Sequence, residues 1–382
     1  MQYRGTYLQV DLGAIAYNAA ALRRAIAPTP HMLAVVKANA YGHGLVPVAQ
    51  TVLRNGADYL AVAIPEEGEA LRAAGIAAPT LVLGAVNEKG AAASVRFDLT
   101  QAVFDRQRVE MLERAAAAQG KIACVHLKCD TGMGRIGVRT AAEIRDVLDA
   151  IAQSPHVRLT GAFTHFADAD GEGDGYTRMQ IEIFDRMRAL LPPGLLIHAA
   201  ASAAGARYPQ ARYDMVREGI SLYGCPPVPE EAAVIPALSW YTEIAYVKTI
   251  PAGACVSYGC AFRAQRETRV ATLPVGYGDG YHRALSGKAQ VLVGGRRCPV
   301  LGRVCMDQTM VDVTDAPRAA AGDQAVLLGA QGTERITAGE LAAWANTISY
   351  EMLLAATARV PITYVNEKTH KQKGNEHAEH GQ

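Results

Sequence analysis

The sequence predicts an α/β protein in which an N-terminal (β/α)8 barrel precedes a mainly β C-terminal domain. Short apolar runs alternate with helical patterns up to about residue 235. Eight of these runs are almost continuously apolar, as in parallel strands that are buried on both faces. After Pro236, turns rich in glycine and proline separate short strands, which is typical of a β domain. A doubly wound sheet is the alternative, because a local pattern does not show whether the sheet closes.

Each predicted barrel strand except the last is followed by a helical pattern. The strands are predicted near His31–Lys37, Tyr59–Ile64, Thr80–Gly84, Thr100–Phe104, Ile122–Lys128, Arg158–His165, Leu195–Ala199 and Met215–Arg217. Helices are predicted at Leu45–Arg54, Pro65–Ala74, Arg106–Ala118, Ala141–Ala152 and Thr177–Leu190. Pro65, Glu66 and Glu67 suit a first helical turn, because proline lacks an N–H that would go unused there and carboxylates favour the positive end.

The later part of the chain predicts a second domain. Its strands are predicted at Ser239–Ile250, Thr268–Pro274, Gln290–Val293, Pro299–Leu301, Met310–Val313 and Gln324–Leu328, with Ala338–Ala345 as the one helical stretch. We therefore expect a barrel domain at 1–236 and a β domain at 237–365. The first strand, about 3–10, is a candidate to pack with the β domain instead. Residues 366–382 are polar and predict a disordered tail.

Composition narrows the class of protein. The 382 residues are 50% hydrophobic and 20% charged, which excludes wholesale disorder. The formal net charge of +1 gives no field that would attract nucleic acid or an anionic membrane. The 7 cysteines have neither zinc-site nor redox spacing, and no long apolar segment is present. We expect reduced thiols, a cytoplasmic location and no metal site.

Several polar residues fall at the carboxyl ends of the predicted strands, where a barrel carries its active site. Lys37 ends the first apolar run, and burial there would lower the pKa of its amine and make it nucleophilic. A solvated lysine just past the strand is the simpler alternative. The other residues at or beyond strand ends are Lys128, Arg135, His165, Ser202 and Arg217. Their convergence on one barrel mouth predicts a functional site.

The segment Gly132–Gly137 fits the pattern G-x-G-x-x-G, lies after a strand and precedes a helix. This context suggests dinucleotide binding as a second interpretation. The strand before it is the fifth rather than the first, however. Lys128, Asp130 and Arg135 also surround the glycines, and a pyrophosphate-binding turn does not require them. The pattern therefore disfavours a dinucleotide site.

Seven motifs occur in order within about residues 1–364. They are Val35-Val-Lys37-Ala-Asn-Ala-Tyr41-Gly-His-Gly44, Leu127-Lys128-Cys-Asp-Thr-Gly-Met-Gly-Arg135-Ile-Gly137, Thr164-His165-Phe166-Ala167, Arg217-Glu-Gly-Ile-Ser-Leu-Tyr223-Gly224, Val256-Ser-Tyr258-Gly259, Leu273-Pro-Val-Gly-Tyr-Gly-Asp-Gly280 and Gly302-Arg-Val-Cys-Met306-Asp307. Together they strongly resemble the bacterial alanine racemases, which depend on pyridoxal 5'-phosphate.

The resemblance implies that the protein interconverts L-alanine and D-alanine with two bases acting on opposite faces of the substrate. It implies that Lys37 carries pyridoxal phosphate and serves the D-alanine face. Tyr258 would serve the L-alanine face. In the family this tyrosine reaches the cofactor of the other subunit, so the resemblance also implies a homodimer with shared active sites.

The resemblance assigns roles to further residues. Arg217 would face the pyridine nitrogen and keep it unprotonated, and Arg135 with the backbone of Met306 would bind the substrate carboxylate. Lys128 matches a lysine that is carbamylated in related enzymes. The residues implied in cofactor binding are Lys37, Tyr41, His165, Ser202, Arg217, Gly219, Ile220 and Tyr350.

Three positions depart from the family pattern: Ala201 replaces a frequent Asn, Glu218 a frequent Pro and Ile362 a frequent Arg. Other functions within the same fold stay open. A racemase for serine or a basic amino acid is one, since one methylene or hydroxyl changes binding by only about 1–3 kcal/mol. A decarboxylase is disfavoured by Arg217, and a non-catalytic pyridoxal-phosphate carrier by the β domain with Tyr258. A role in wall synthesis and a role in alanine breakdown are equally compatible with the sequence.

Overall fold

The computed structural model describes residues 4–27 and 31–367. The chain begins with β1 (Tyr7–Asp11) and α1 (Leu12–Ala25), and Asp11 caps the helix by accepting from the Ala14 N–H at 3.0 Å. The next strands are β2 (His31–Val35), β3 (Tyr59–Val62), β4 (Thr80–Val82), β5 (Thr100–Val103), β6 (Ala123–Lys128), β7 (Val157–Phe163), β8 (Leu196–His198) and β9 (Met215–Glu218). The helices between them are α2 (Lys37–Tyr41), α3 (Leu45–Arg54), α4 (Pro65–Ala73), α5 (Glu88–Arg96), α6 (Arg106–Gln119), α7 (Ala141–Ala152), α8 (Gly175–Arg188) and α9 (Ser202–Arg207).

Strands β2 to β9 form one 8-stranded parallel sheet in which sequence neighbours pair and β9 returns to β2. At the remaining seam, Ala201 and Arg217 form a parallel bridge, and the Arg217 N–H donates to the Ala200 carbonyl at 3.0 Å. The sheet is therefore a nearly closed barrel, which confirms the predicted fold class. The doubly wound alternative is wrong, because that fold reverses its strand order at a switch point.

Helices α3 and α7 have the predicted bounds, whereas the helix predicted at Thr177–Leu190 lies at Gly175–Arg188. The strand predicted at His31–Lys37 ends at Val35, so Lys37 lies beyond it at the start of α2. The backbone of α2 is a left-handed turn rather than a regular α-helix. Helix α5 lies after β4, where a helical pattern is expected without stated bounds. Asn87 begins this helix by accepting from the Gly90 N–H at 3.0 Å.

The second half of the chain contains β10 (Leu238–Glu243), β11 (Tyr246–Ile250), β12 (Cys255–Val256), β13 (Phe262–Arg263), β14 (Thr268–Leu273), β15 (Gln290–Val293), β16 (Arg296–Pro299), β17 (Thr309–Asp312), β18 (Gln324–Gln331), β19 (Glu334–Ile336), α10 (Ala338–Ala345), α11 (Ser349–Leu354) and β20 (Ile362–Val365). Its largest sheet has the order β16-β15-β18-β10-β1-β20. Strand β1 therefore lies inside the sheet of the β domain, antiparallel to β10 and parallel to β20.

Three predictions for this half are corrected. The segment Ser239–Ile250 forms two strands, because the Ile244 N–H turns away to the Asp323 carbonyl at 2.8 Å. The strand predicted at Pro299–Leu301 is wrong, since β16 precedes it and ends at Pro299. Helix α11 is a second helix where only one was predicted, and it is too short to give a clear helical period in the sequence. Of the tail predicted at 366–382, residues 368–382 lie outside the part of the chain that the structure describes.

Candidate active site

Lys37 follows β2 at the barrel mouth, in a turn with unusual backbone geometry. Ala38, Asn39 and Ala40 all have φ of 53°, in the left-handed region that costs about 1–2 kcal/mol for each residue with a side chain. Glu67 at the start of α4 holds this turn. Its carboxylate accepts from the Ala38 N–H at 2.5 Å and from the Ala63 N–H at 2.8 Å. The turn is thus fixed to the neighbouring strand, and Lys37 with it.

The amine of Lys37 is partly buried among charges of both signs. Burial and then Arg135 lower the pKa of Lys37, Arg217 lowers it further, and Glu67 acts in the opposite direction. A lowered pKa gives the amine a larger neutral fraction near neutral pH, and only the neutral form is a nucleophile or base. The simpler reading of Lys37 as a fully solvated lysine does not fit this environment.

Arg217 extends from β9 into the barrel and is 3% exposed. Its guanidinium donates to the carbonyls of Thr164 at 2.9 Å and Ala199 at 2.8 Å. It also lies 3.1 Å from Nδ1 of His198 and 3.3 Å from Nδ1 of His165. No carboxylate in the described ranges forms an ion pair with it. Arg217 is therefore a buried cation with neutral partners only.

His165 follows β7 and is half-buried beside Arg217. Burial, followed by the positive charge of Arg217, holds the pKa of His165 well below its usual range. The imidazole is therefore neutral, and its Nδ1 accepts from Arg217 while Nε2 carries the proton.

A second cluster lies beside the first and combines hydroxyl groups with close backbone. The Gly219 N–H donates to Ser202 Oγ at 3.0 Å. A Cβ on Gly219 would lie 3.0 Å from the hydroxyl of Tyr41, so only glycine leaves the backbone accessible here. The Tyr41 ring stacks on Tyr223 at 4.7 Å between centroids and packs against Tyr350 at 5.9 Å. Ile220 follows Gly219 directly and is buried.

Lys128 ends β6 on the inner side of the barrel. Its Nζ donates to the Cys129 carbonyl at 3.3 Å and lies 4.9 Å from the centre of the Phe163 ring. Burial and then the nearby Arg217 lower the pKa of Lys128 to about 7. A large part of this amine is therefore uncharged near neutral pH.

The Gly132–Gly137 loop carries Arg135 and folds around the carboxylate of Asp130, which lies just before the loop. Asp130 Oδ1 accepts from the N–H groups of Gly132 at 3.1 Å and Gly134 at 3.0 Å. These amides are the ones that a pyrophosphate would need. The dinucleotide interpretation is therefore wrong, and the loop presents the exposed Arg135 near Lys37 instead.

Tyr258 and Met306 lie on the β domain and are 67% and 53% exposed. Their segments contact each other, since Ser257 Oγ donates to the Arg303 carbonyl at 2.6 Å and lies 3.6 Å from Cys305 Sγ. Within the described residues, neither side chain forms a hydrogen bond or ring contact with the barrel mouth. The structure thus gathers the barrel residues together and leaves Tyr258 and Met306 as a separate exposed pair.

Four residues of the site were missed by the sequence reasoning. Glu67 was read only as a helix start, and His198, Tyr223 and Glu218 were given no role. His198 Nδ1 accepts from the Arg217 guanidinium at 3.1 Å, and the Tyr223 hydroxyl donates to the Val35 carbonyl at 2.9 Å. The alternation along a strand could have pointed to His198, because it is the inward residue of β8 beside Arg217.

A parallel barrel followed by a mainly β domain is the architecture that this chain shares with solved racemase structures. Residues 10–227 match the family model of the alanine racemase N-terminal domain, and residues 237–364 match that of the C-terminal domain. The chain belongs to the alanine racemase family, whose members are isomerases. The resemblance seen in the motifs is confirmed. The family is known to use pyridoxal phosphate and to be homodimeric.

Named relatives and solved structures match over almost the whole chain. The alanine racemase of Symbiobacterium thermophilum is 48% identical over 371 residues, covering 95% of this chain and 98% of the relative. Alanine racemase 1 of Bacillus subtilis is 40% identical over 370 residues, with 95% and 94% covered. The crystal structure of alanine racemase from Bacillus anthracis with bound L-Ala-P has a TM-score of 0.90 and 36% identity, covering 96% of both chains. That from D-cycloserine-producing Streptomyces lavendulae also has a TM-score of 0.90, at 37% identity with 96% and 98% covered.

Proposed function

We propose that this protein interconverts L-alanine and D-alanine with pyridoxal 5'-phosphate as its cofactor, in a homodimer. The relatives support the reaction, since those named above are all alanine racemases. The observation that carries the proposal is that Lys37 is partly buried and has a lowered pKa. Arg217, which contributes to this shift, is buried and forms no ion pair with a carboxylate of the described residues.

The residues at the barrel mouth fit pyridoxal phosphate by their chemistry. Lys37 offers an amine for the aldehyde, and Arg217 is a buried donor that would face the ring nitrogen. The phosphate would be held by the cradle at Gly219 and Ile220, the hydroxyl of Ser202, and Tyr41 with Tyr350. When bound, the cofactor withdraws electrons from the substrate and makes the Cα proton acidic.

The chain's own residues then move the proton. The neutral amine of Lys37 takes or returns it on one face of the substrate, because its lowered pKa makes the amine a base near neutral pH. Burial and then Arg135 lower the pKa of Arg217 to about 9, so the guanidinium stays protonated near neutral pH. Facing the ring nitrogen, it would keep that nitrogen unprotonated and so limit how strongly the cofactor ring withdraws electrons. His165 stays neutral and holds Arg217 in place.

The opposite face needs a second base, and we assign that role to Tyr258 of the partner subunit. The exposure of Tyr258 and its separation from its own barrel mouth support this assignment. In a two-fold dimer, each Tyr258 would complete the other subunit's site. Met306 lies beside Tyr258 and would reach the same site, where its backbone and Arg135 would bind the substrate carboxylate.

We further propose that Lys128 is carbamylated. A buried lysine whose pKa is lowered to about 7 presents the neutral amine that reacts with carbon dioxide. The resulting anion would compensate the charges of Arg217 and Arg135. Protein incubated with ¹³C-bicarbonate should give a carbamate NMR signal that the Lys128→Ala variant lacks. A wild-type spectrum without this signal contradicts the modification.

The proposal extends to organisation and location. We place the domain boundary at 236/237, which is supported by family models that end at 227 and restart at 237. Cysteine usage without zinc-site or redox spacing supports a reducing, cytoplasmic setting.

The direct test is D-alanine formation from L-alanine, measured with and without added pyridoxal phosphate. We expect turnover that depends on the cofactor, and label on Lys37 after borohydride treatment. The same assay with serine and lysine tests the substrate. A higher kcat/KM for either of these than for alanine contradicts the alanine assignment.

A further inference from the structure

Glu218 occupies the strand position next to Arg217 and points to the other side of the sheet. It is 1% exposed, and its Oε2 accepts from Ser202 Oγ at 3.0 Å. Ser202 Oγ in turn accepts from the Gly219 N–H at 3.0 Å. The single proton of the Ser202 hydroxyl is therefore committed to Glu218, at the end of the site where the phosphate group would bind.

Few charges act on Glu218 in this buried place. Burial is the largest effect and raises the pKa of Glu218 to about 7. The hydrogen bond from Ser202 and then Arg212, which donates to the Gly205 carbonyl at 2.9 Å, act in the opposite direction. Glu231, in the loop after the barrel, faces Glu218. Burial and then Glu218 raise the pKa of Glu231 to about 8.

The other elements packed against β9 add no ionisable partner on this side. Strand β2 places Ala34 opposite Glu218 in the register. His198 of β8 faces Arg217 inside the barrel, away from Glu218. One oxygen of Glu231 is buried without a hydrogen bond in the described part of the chain, so the two carboxyl groups are poorly compensated when ionised.

A phosphate monoester dianion only accepts hydrogen bonds. Ser202 can donate to it only by releasing Glu218. If Glu218 is then ionised, a buried carboxylate loses its donor and lies close to a dianion, which is costly. If Glu218 is protonated, its O–H can donate to Ser202 Oγ, and Ser202 can donate to the phosphate with every group paired.

We propose that Glu218 is a proton-linked positioning residue, so that binding of a phosphate group at Ser202 takes up one proton from solvent onto the Glu218 carboxyl. The proposal rests on the proposed function, which assigns the phosphate to Ser202. No covalent bond breaks in the protein. The Ser202 hydroxyl turns from Glu218 to the ligand, and the new Glu218 O–H turns to Ser202.

The linkage has a defined sign. In the ligand-free protein Glu218 ionises as the pH rises through about 7, so above that pH binding must recover a proton. The dissociation constant should then rise about tenfold per pH unit. Below that pH the carboxyl is already neutral, and the linkage disappears.

The test is calorimetric titration of the cofactor-free full chain with pyridoxal phosphate at about pH 8.5 and pH 6, in buffers of different ionisation enthalpy. The Glu218→Gln variant is the matched control, because its amide donates to Ser202 without titrating. Glu218→Pro, with the residue common at this position in the family, is a second variant if the first does not fold.

Lys37 and the ligand are unchanged in the variant, so the difference belongs to Glu218 together with the Glu231 carboxyl whose pKa depends on it. We expect wild type to take up about one proton more than the variant at pH 8.5 and no excess at pH 6. Equal proton uptake at both pH values, with binding intact, overturns the proposal. Absence of binding in both proteins contradicts the proposed function instead.

Discussion

The barrel mouth around Lys37 and the part of the β domain that carries Tyr258 and Met306 differ in how their side chains are held. Around Lys37 the polar groups are buried and bonded to one another, and Arg217 alone contacts two carbonyls and two imidazoles. Tyr258 and Met306 are mostly exposed and are held only through their backbone segments. A buried network fixes a cofactor in place, whereas an exposed pair is suited to complete a site on another molecule.

The largest effect should come from a substitution at the barrel mouth. Lys37→Ala removes both the attachment group and one base, so we expect racemisation to fall about ten-thousandfold. The measurement is kcat in both directions, together with the absorbance of bound cofactor. Lys89→Ala, which changes an exposed lysine on α5, should match wild type. Substantial activity in Lys37→Ala would remove this lysine from the mechanism.

The second prediction tests the exposed side. Tyr258→Phe should bind the cofactor normally but lose about a hundred- to a thousandfold in kcat/KM. The loss should be equal in both directions, because the enantiomers are equally stable and each direction needs a proton transfer on the face that lacks its base.

Mixing then distinguishes shared sites from separate ones. Lys37→Ala and Tyr258→Phe chains, refolded together in equal amounts, form mixed dimers in which one site has both intact residues. About a quarter of wild-type activity should return, since half of the dimers are mixed and each has one good site. No recovery, with mixed dimers demonstrated by native mass spectrometry, contradicts the shared site.

The smallest effect concerns the turn that carries Lys37. Glu67→Gln replaces one accepting oxygen with a donor that faces a backbone N–H, so we expect a loss of about 1–3 kcal/mol in the free energy of unfolding. The pKa of Lys37 should also fall, because the charge that raises it is gone. Urea unfolding checks the first effect and the pH profile of kcat/KM the second. Glu66→Gln, at an exposed neighbouring position, is the control.

The sequence predicts features that depend on residues close together in the chain, and it does not predict contacts between distant residues. The apolar run before Lys37 predicts a strand that ends there, and alternation predicts that Arg217 and Glu218 face opposite sides. The link from Glu67 to Ala38 joins residues 29 positions apart and gives no periodic signal. The hydrogen bond of Glu218 to Ser202 likewise depends on how α9 packs against β9. Helix α11, which carries Tyr350, is only 6 residues long and shows little more than one turn of pattern.

The position of β1 between β10 and β20 bears on how the chain is made. A ribosome produces this strand before the barrel and its partner β20 after the barrel. The barrel can therefore fold during synthesis, while β1 stays unpaired until β10 and β20 have been made. A cut at residue 236 would not yield two independent pieces, because the later piece would lack an interior strand of its largest sheet. The sheet that contains β1 is complete only after β20 has been made.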